Sequence, residues 1–108
     1  MTGGGGPTDR LRLELDGRSP GEVAINLVGE LDLVTSPLLR DELARHHAHG
    51  RRVVLDLSAV KFVDSTGLVL LMESARGEGE VLLRRQVAPA VARLLAITKT
   101  EQLFTWID

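Results

Sequence analysis

Residues 51–73 read RRVVLDLSAVKFVDSTGLVLLME, and this stretch decides the fold. Its first part, Val53-Val54-Leu55-Asp56-Leu57, is dense in β-branched and apolar residues, as a strand covered on its faces requires. Its last part begins a stripe of Leu68, Leu71, Met72 and Ala75, the i, i+3, i+4, i+7 spacing of a core-facing helix that Gly77 or Gly79 ends. Between the two lies Asp64-Ser65-Thr66-Gly67. A strand feeding a helix through so short a turn is half of a β-α-β unit. The turn sets a lone hydroxyl, Ser65, at a helix N-terminus, where backbone N–H groups and the helix dipole receive an anion, including a phosphate on that hydroxyl.

Working outward, the alternation extends in both directions. Upstream, Leu11, Leu13 and Leu15 share one face of an edge strand, residues 16–21 form a turn, and Val23, Ile25 and Leu27 begin a second strand ending at Gly29. These two strands make an antiparallel hairpin. Ser36-Pro37, an N-cap followed by proline, opens a helix that carries Leu39 and Leu43 inward and stops at Gly50. Downstream come a strand over residues 81–83, a third helix over 89–98 and a short strand over 104–107. The order is β-β-α-β-α-β-α-β. It predicts a single α/β domain over residues 10–108, with a mixed, mostly parallel sheet, an antiparallel edge hairpin and helices packed on it. Residues 1–9 hold four consecutive glycines and a proline, which predicts a flexible tail.

Composition excludes several functions. The chain has 108 residues, 44% hydrophobic and 26% charged, an ordinary globular balance for one domain. Its formal charge of −2 removes the electrostatic basis for nucleic-acid binding, and three aromatics offer few stacking platforms. Without cysteine there is no disulfide frame or thiolate chemistry. No apolar run reaches the roughly 20 residues that span a bilayer, and no signal peptide opens the chain, so a cytoplasmic protein without membrane insertion is expected. No glycine-rich loop precedes a helix, and no cofactor is expected.

Topology places a site. In open α/β sheets, sites form outside the carboxyl ends of the parallel strands. The loops there are residues 30–35, 61–65 and 84–88, which predicts a shared rim of Asp32, Asp64 and Ser65 with Arg84 or Arg85. Each residue also has a plainer role. Ser65 serves equally as an N-cap, and Asp32 as the cap of its own loop. A hydrolytic serine needs a nearby base, whereas His46, His47 and His49 all sit at the far end of the first helix. His46 and His49 are one turn apart, but without a third ligand they read as dipole partners, not a metal site. The Asp-Ser-Thr-Gly string also lacks the acid dyad and β-rich frame of an aspartic protease. The helix after Ser65 is apolar beyond its core stripe, so Val69 or Leu70 is available as an exposed docking anchor, with Leu70 the preferred candidate.

Gly29-Glu30-Leu31-Asp32, Val53-Val54-Leu55-Asp56-Leu57-Ser58, Phe62-Val63-Asp64-Ser65-Thr66-Gly67-Leu68 and Pro89-Ala90-Val91-Ala92-Arg93-Leu94-Leu95, in that order, resemble the signature of the STAS family. Within that family the sequence is similar to bacterial anti-sigma-factor antagonists. The resemblance implies a partner-switching regulator and not an enzyme. Its unphosphorylated form binds an anti-sigma factor, itself a serine kinase, and so frees a sigma factor for transcription. Phosphorylation of the serine after the motif aspartate, here Ser65, ends that binding, and a metal-dependent serine phosphatase restores it. Asp32, Asp64, Ser65, Thr66, Val69 and Leu70 would then form the partner-binding surface. Thr66, where a second serine is common, keeps a hydroxyl that offers a minor phosphosite.

Other departures carry expectations too. Ala88 replaces a capping serine, which weakens the start of the third helix, and Lys99 replaces a glycine, which puts αL termination in question. The C-terminal helix of many relatives has no counterpart before Asp108, which favours self-association as a homodimer. Two other classes fit the same resemblance: a non-phosphorylated STAS subunit of a membrane lipid-transport complex, and a stressosome-like scaffold.

Overall fold

The alternating leucines after residue 10 form the first of five strands among the described residues. The computed structural model describes residues 10–77 and 79–108, so the tail predicted over residues 1–9 lies outside the described residues. The strands are β1 (Leu11–Ser19), β2 (Glu22–Leu31), β3 (Arg52–Val63), β4 (Val81–Arg84) and β5 (Trp106–Ile107). The helices are α1 (Ser36–Ala48), α2 (Ser65–Arg76) and α3 (Pro89–Thr98), with a 3-10 turn at Glu101–Leu103. The sheet order is β1-β2-β3-β4-β5. β1 pairs antiparallel with β2, and the remaining neighbours pair parallel, as the hairpin and β-α-β readings require.

A right-handed crossover that always steps to the next strand in the same direction returns its helix to the same side of the sheet. The core follows this rule. Leu39 of α1, Leu71 of α2 and Leu95 of α3 join one cluster with Ile25, Leu27, Leu55, Leu57 and Leu83. Ala24, Val54 and Leu82, at alternate strand positions, form a separate small cluster on the opposite face.

β3 runs six residues past the predicted Leu57. Its register against β2 slips twice: Asn26 pairs with Asp56 but Val28 with Ala59, and Gly29 pairs with Val60 but Glu30 with Phe62. Each slip inserts one extra residue into β3, a β-bulge. The Asp56 side chain braces the first by accepting from Ser58 N (2.9 Å) and Ser58 Oγ (2.6 Å). The Leu57 carbonyl accepts from Ala88 N at 3.3 Å, which ties the start of α3 to the strand.

Three local expectations change. Ser36 is the first helical residue of α1 and not its cap, which is Thr35. The reason lies in the preceding loop, where Ser36 N donates to Asp32 O at 2.8 Å and closes the turn early. Strand β2 passes through Gly29 at φ +124° and continues to Leu31. A side chain at Gly29 would place its Cβ 2.0 Å from Arg10 O, so only glycine allows β1 to begin there. Lys99 does take the αL conformation, at φ 57° and ψ 42°. Lys99 N donates to Ala96 O and Thr100 N to Leu95 O, a Schellman termination built on lysine. Ala88 supplies no side-chain cap to α3, as expected.

Candidate functional site

β2 and β3 end side by side, with Leu31 opposite Val63, and Asp64 N extends the ladder by donating to Leu31 O at 3.1 Å. The chain then turns into α2. Asp64, in an extended conformation, is the N-cap, and its Oδ1 accepts from Gly67 N at 2.9 Å. Ser65 is therefore the first residue of the helix, not its cap. It is exposed, and its hydroxyl enters none of the hydrogen bonds formed among the described residues. Gly67 makes the close approach possible, since a Cβ there would lie 2.6 Å from Leu31 O.

The second oxygen of Asp64 reaches across to the loop after β2, where Oδ2 accepts from Leu33 N at 3.1 Å. Asp32 organises the rest of that loop. Its Oδ1 accepts from Val34 N (3.0 Å) and Thr35 N (2.9 Å), while Asp32 N donates to Thr35 Oγ1 (2.9 Å). Thr35 Oγ1 in turn donates to Glu30 O at 2.8 Å. Arg10 closes the arrangement from β1, donating to both oxygens of Asp32 and to Glu30 Oε1 at 3.0 Å. Arg10 foremost, and the Thr35 N–H after it, hold the Asp32 carboxyl at about 2, below its usual 3.8.

The structure thus brings Asp32, Asp64, Ser65 and Thr66 to one rim, where Asp32 caps its own loop, as its plainer reading expected, and Asp64 caps α2. Both are engaged in holding backbone. Leu70 is reassigned. It is buried, 4% exposed, in the groove beside Leu43 and Ala44 of α1, whereas Val69 is 48% exposed. Val69 lies four residues after Ser65, on the same face of α2. Arg84 and Arg85 turn elsewhere: Arg84 Nε lies 3.9 Å from Asp56 Oδ2, and Arg85 Nε donates to Asp108 Oδ1 at 3.1 Å.

Sequence reasoning missed the exposed apolar residues in the loop after β2 and near the end of β3. Leu33 is 67% exposed, and Val34 and Phe62 are also exposed. The signal was present in Leu33-Val34, an apolar pair inside a turn-rich loop that no strand or helix periodicity claims. Arg10 left no comparable signal, because its partners lie 20 and 22 residues away.

Two of the histidines, His46 and His49, have structural roles. His46 is buried, with Nε2 2.9 Å from Glu42 Oε2 and Nδ1 3.1 Å from Arg51 Nη1. A guanidinium only donates, so Nδ1 accepts from Arg51 and Nε2–H donates to Glu42. His49 Nδ1 lies 2.9 Å from Arg45 O, within its own helix.

Known proteins resemble this chain along most of its length. The family model "Mlab, STAS domain" matches residues 14–105. A STAS-domain containing protein of Pseudomonas aeruginosa (strain UCBPP-PA14) is 34% identical over 86 residues, covering 77% of this chain and 85% of that protein. The anti-sigma-F factor antagonist RsfB of Mycobacterium tuberculosis (strain ATCC 25618 / H37Rv) is 31% identical over 91 residues, covering 79% and 75%. The crystal structure of an anti-sigma factor antagonist from Mycobacterium paratuberculosis matches with a TM-score of 0.73 at 29% identity, covering 91% of this chain and 86% of that one. With the mixed sheet, the capped turn before α2 and the matched length together, this chain belongs to the STAS domain family, in the company of anti-sigma factor antagonists.

Proposed function

We propose that this protein is a partner-switching anti-sigma factor antagonist of the cytoplasm. Unphosphorylated, it binds an anti-sigma factor that is also a serine kinase, and a sigma factor is released. Phosphorylation of Ser65 ends the binding, and a serine phosphatase restores it. The observation that carries this reading is the setting of Ser65: exposed at the N-terminus of α2, with Asp64 doing the capping and the hydroxyl left over. Thr66, partly buried, is the lesser acceptor.

The docking surface consists of Ser65, Val69 one turn further along α2, and Leu33 and Val34 of the loop whose backbone Asp64 holds. Removing such apolar surface from water favours association. A phosphoryl group would add about −1.5 to −2 charges in its midst. The helix N-terminus offsets roughly 0.3–1 kcal/mol of that, so the helix stays folded while the interface meets uncompensated charge and bulk.

A pull-down from the source cell with wild type and Ser65→Asp, followed by mass spectrometry of bait and prey, tests the proposal. Recovery of a kinase-like anti-sigma factor by wild type alone, with phosphate mapped to Ser65, is expected. Equal recovery by both forms, or capture of a membrane ATPase by both, overturns it.

A further inference from the structure

The four amides of residues 32–35 are all bonded, and three of them are served within the loop. Asp32 N goes to Thr35 Oγ1, and Val34 N and Thr35 N go to Asp32 Oδ1. The exception is Leu33 N, whose acceptor is Asp64 Oδ2, 31 residues away on another strand end. Capping α2 needs one side-chain oxygen, and Oδ1 supplies it at Gly67 N. Asparagine or serine would cap about as well as aspartate. The second oxygen is therefore surplus to the helix, and its use is to hold the backbone of the most exposed apolar residue of this loop.

We infer that Asp64 is a positioning residue: its carboxylate forks between the helix that carries Ser65 and the loop that carries Leu33 and Val34, and fixes the two halves of the docking surface relative to each other. The inference rests on the proposed docking role of that surface, but the fork itself is measurable in the free protein. A single-oxygen cap separates the two arms. In Asp64→Ser the hydroxyl still reaches Gly67 N, one turn along its own helix, but is too short to span to Leu33 as well. In Asp64→Asn, one arm must present an N–H donor to another N–H donor.

Amide hydrogen exchange on the isolated protein reads each arm, and titration with the anti-sigma factor reads the consequence. In Asp64→Ser, the Leu33 amide is expected to exchange about tenfold faster while Gly67 changes by less than about threefold, as loss of one charge-assisted bond implies. Affinity for the anti-sigma factor falls about tenfold, and Leu33→Ala added to Asp64→Ser costs little more, because the two act through one contact. Unchanged Leu33 exchange in both Asp64→Ser and Asp64→Asn overturns the inference. So do fully additive effects of Asp64→Ser and Leu33→Ala on affinity. If the wild type binds no anti-sigma factor, the functional reading fails, and Leu33 exchange still decides whether Asp64 holds the loop.

Discussion

The carbonyl of Leu31 occupies the space that a side chain on Gly67 would need, 2.6 Å from the position of its Cβ. The obstacle is backbone at the end of β2, so it cannot rotate away. Gly67→Ala must therefore lift the first turn of α2 off the sheet. A cost of about 1–3 kcal/mol is expected, the range for overpacking a tight contact. Urea denaturation measures it, and weaker protection of Asp64 N, which bonds the same carbonyl, locates it.

The Arg10–Asp32 pair makes stability depend on pH in acid. Asp32 titrates at about 2 in the folded chain against 3.8 for the free carboxyl, because Arg10 and the Thr35 N–H favour its charged form. The unfolded chain thus binds this proton first. The stabilisation is complete above the unfolded value and is lost as pH falls through the window from about 4 to about 2. Urea midpoints across that window should fall more steeply for wild type than for Asp32→Asn. Parallel curves would remove Asp32 as the source.

Val69 and Leu70 are neighbours with opposite expected phenotypes. Leu70→Ala empties a packed position between α1 and α2 and should cost about 2–5 kcal/mol of stability. Val69→Ala should leave stability within about 0.5 kcal/mol. Its effect should appear instead as a several-fold weaker grip on the anti-sigma factor. Thermal melts and binding titrations on the two variants separate the roles.

Lys99 holds a backbone conformation that suits glycine. An L-residue in αL costs roughly 1–2 kcal/mol, and the extra freedom of an unfolded glycine returns part of this. Lys99→Gly should therefore stabilise by about 0.5–1 kcal/mol, seen as a rise of several degrees in Tm. No change would mean that lysine meets no penalty there.

The elements that kept one period along their length were legible in the sequence. Helix α3 was placed at both ends, and the β1–β2 hairpin came from clean alternation. β3 was not read beyond Leu57, because its inward residues change from Val53, Leu55 and Leu57 to Val60 and Val63. After the bulges, the buried positions advance in steps of three, a spacing that alternation does not recognise. Ser36 looked like a cap because serine before proline usually is one, yet the Asp32 loop began the turn a residue earlier. Choosing between Val69 and Leu70 required the position of α1, which α2's own periodicity does not contain. The rim of Asp32, Asp64 and Ser65 was predictable from topology alone. Asp32 as the cap of its own loop was legible too, because Val34 and Thr35 are its near neighbours, whereas the bond from Leu33 to Asp64 was not, since it joins residues 31 positions apart.

The two extra residues of β3 act as a measure of length. A strand advances about 3.3 Å per residue, so without its bulges β3 would carry Asp64 well past the end of β2. With them, Val63 stops level with Leu31 and Asp64 arrives where it can bond both Leu31 and Leu33. From Asp56 to Phe62 β3 takes six steps while its partner takes four from Asn26 to Glu30, and the two bulges absorb the difference. The spacing between these motifs is therefore itself part of the site, set by how many residues β3 contains.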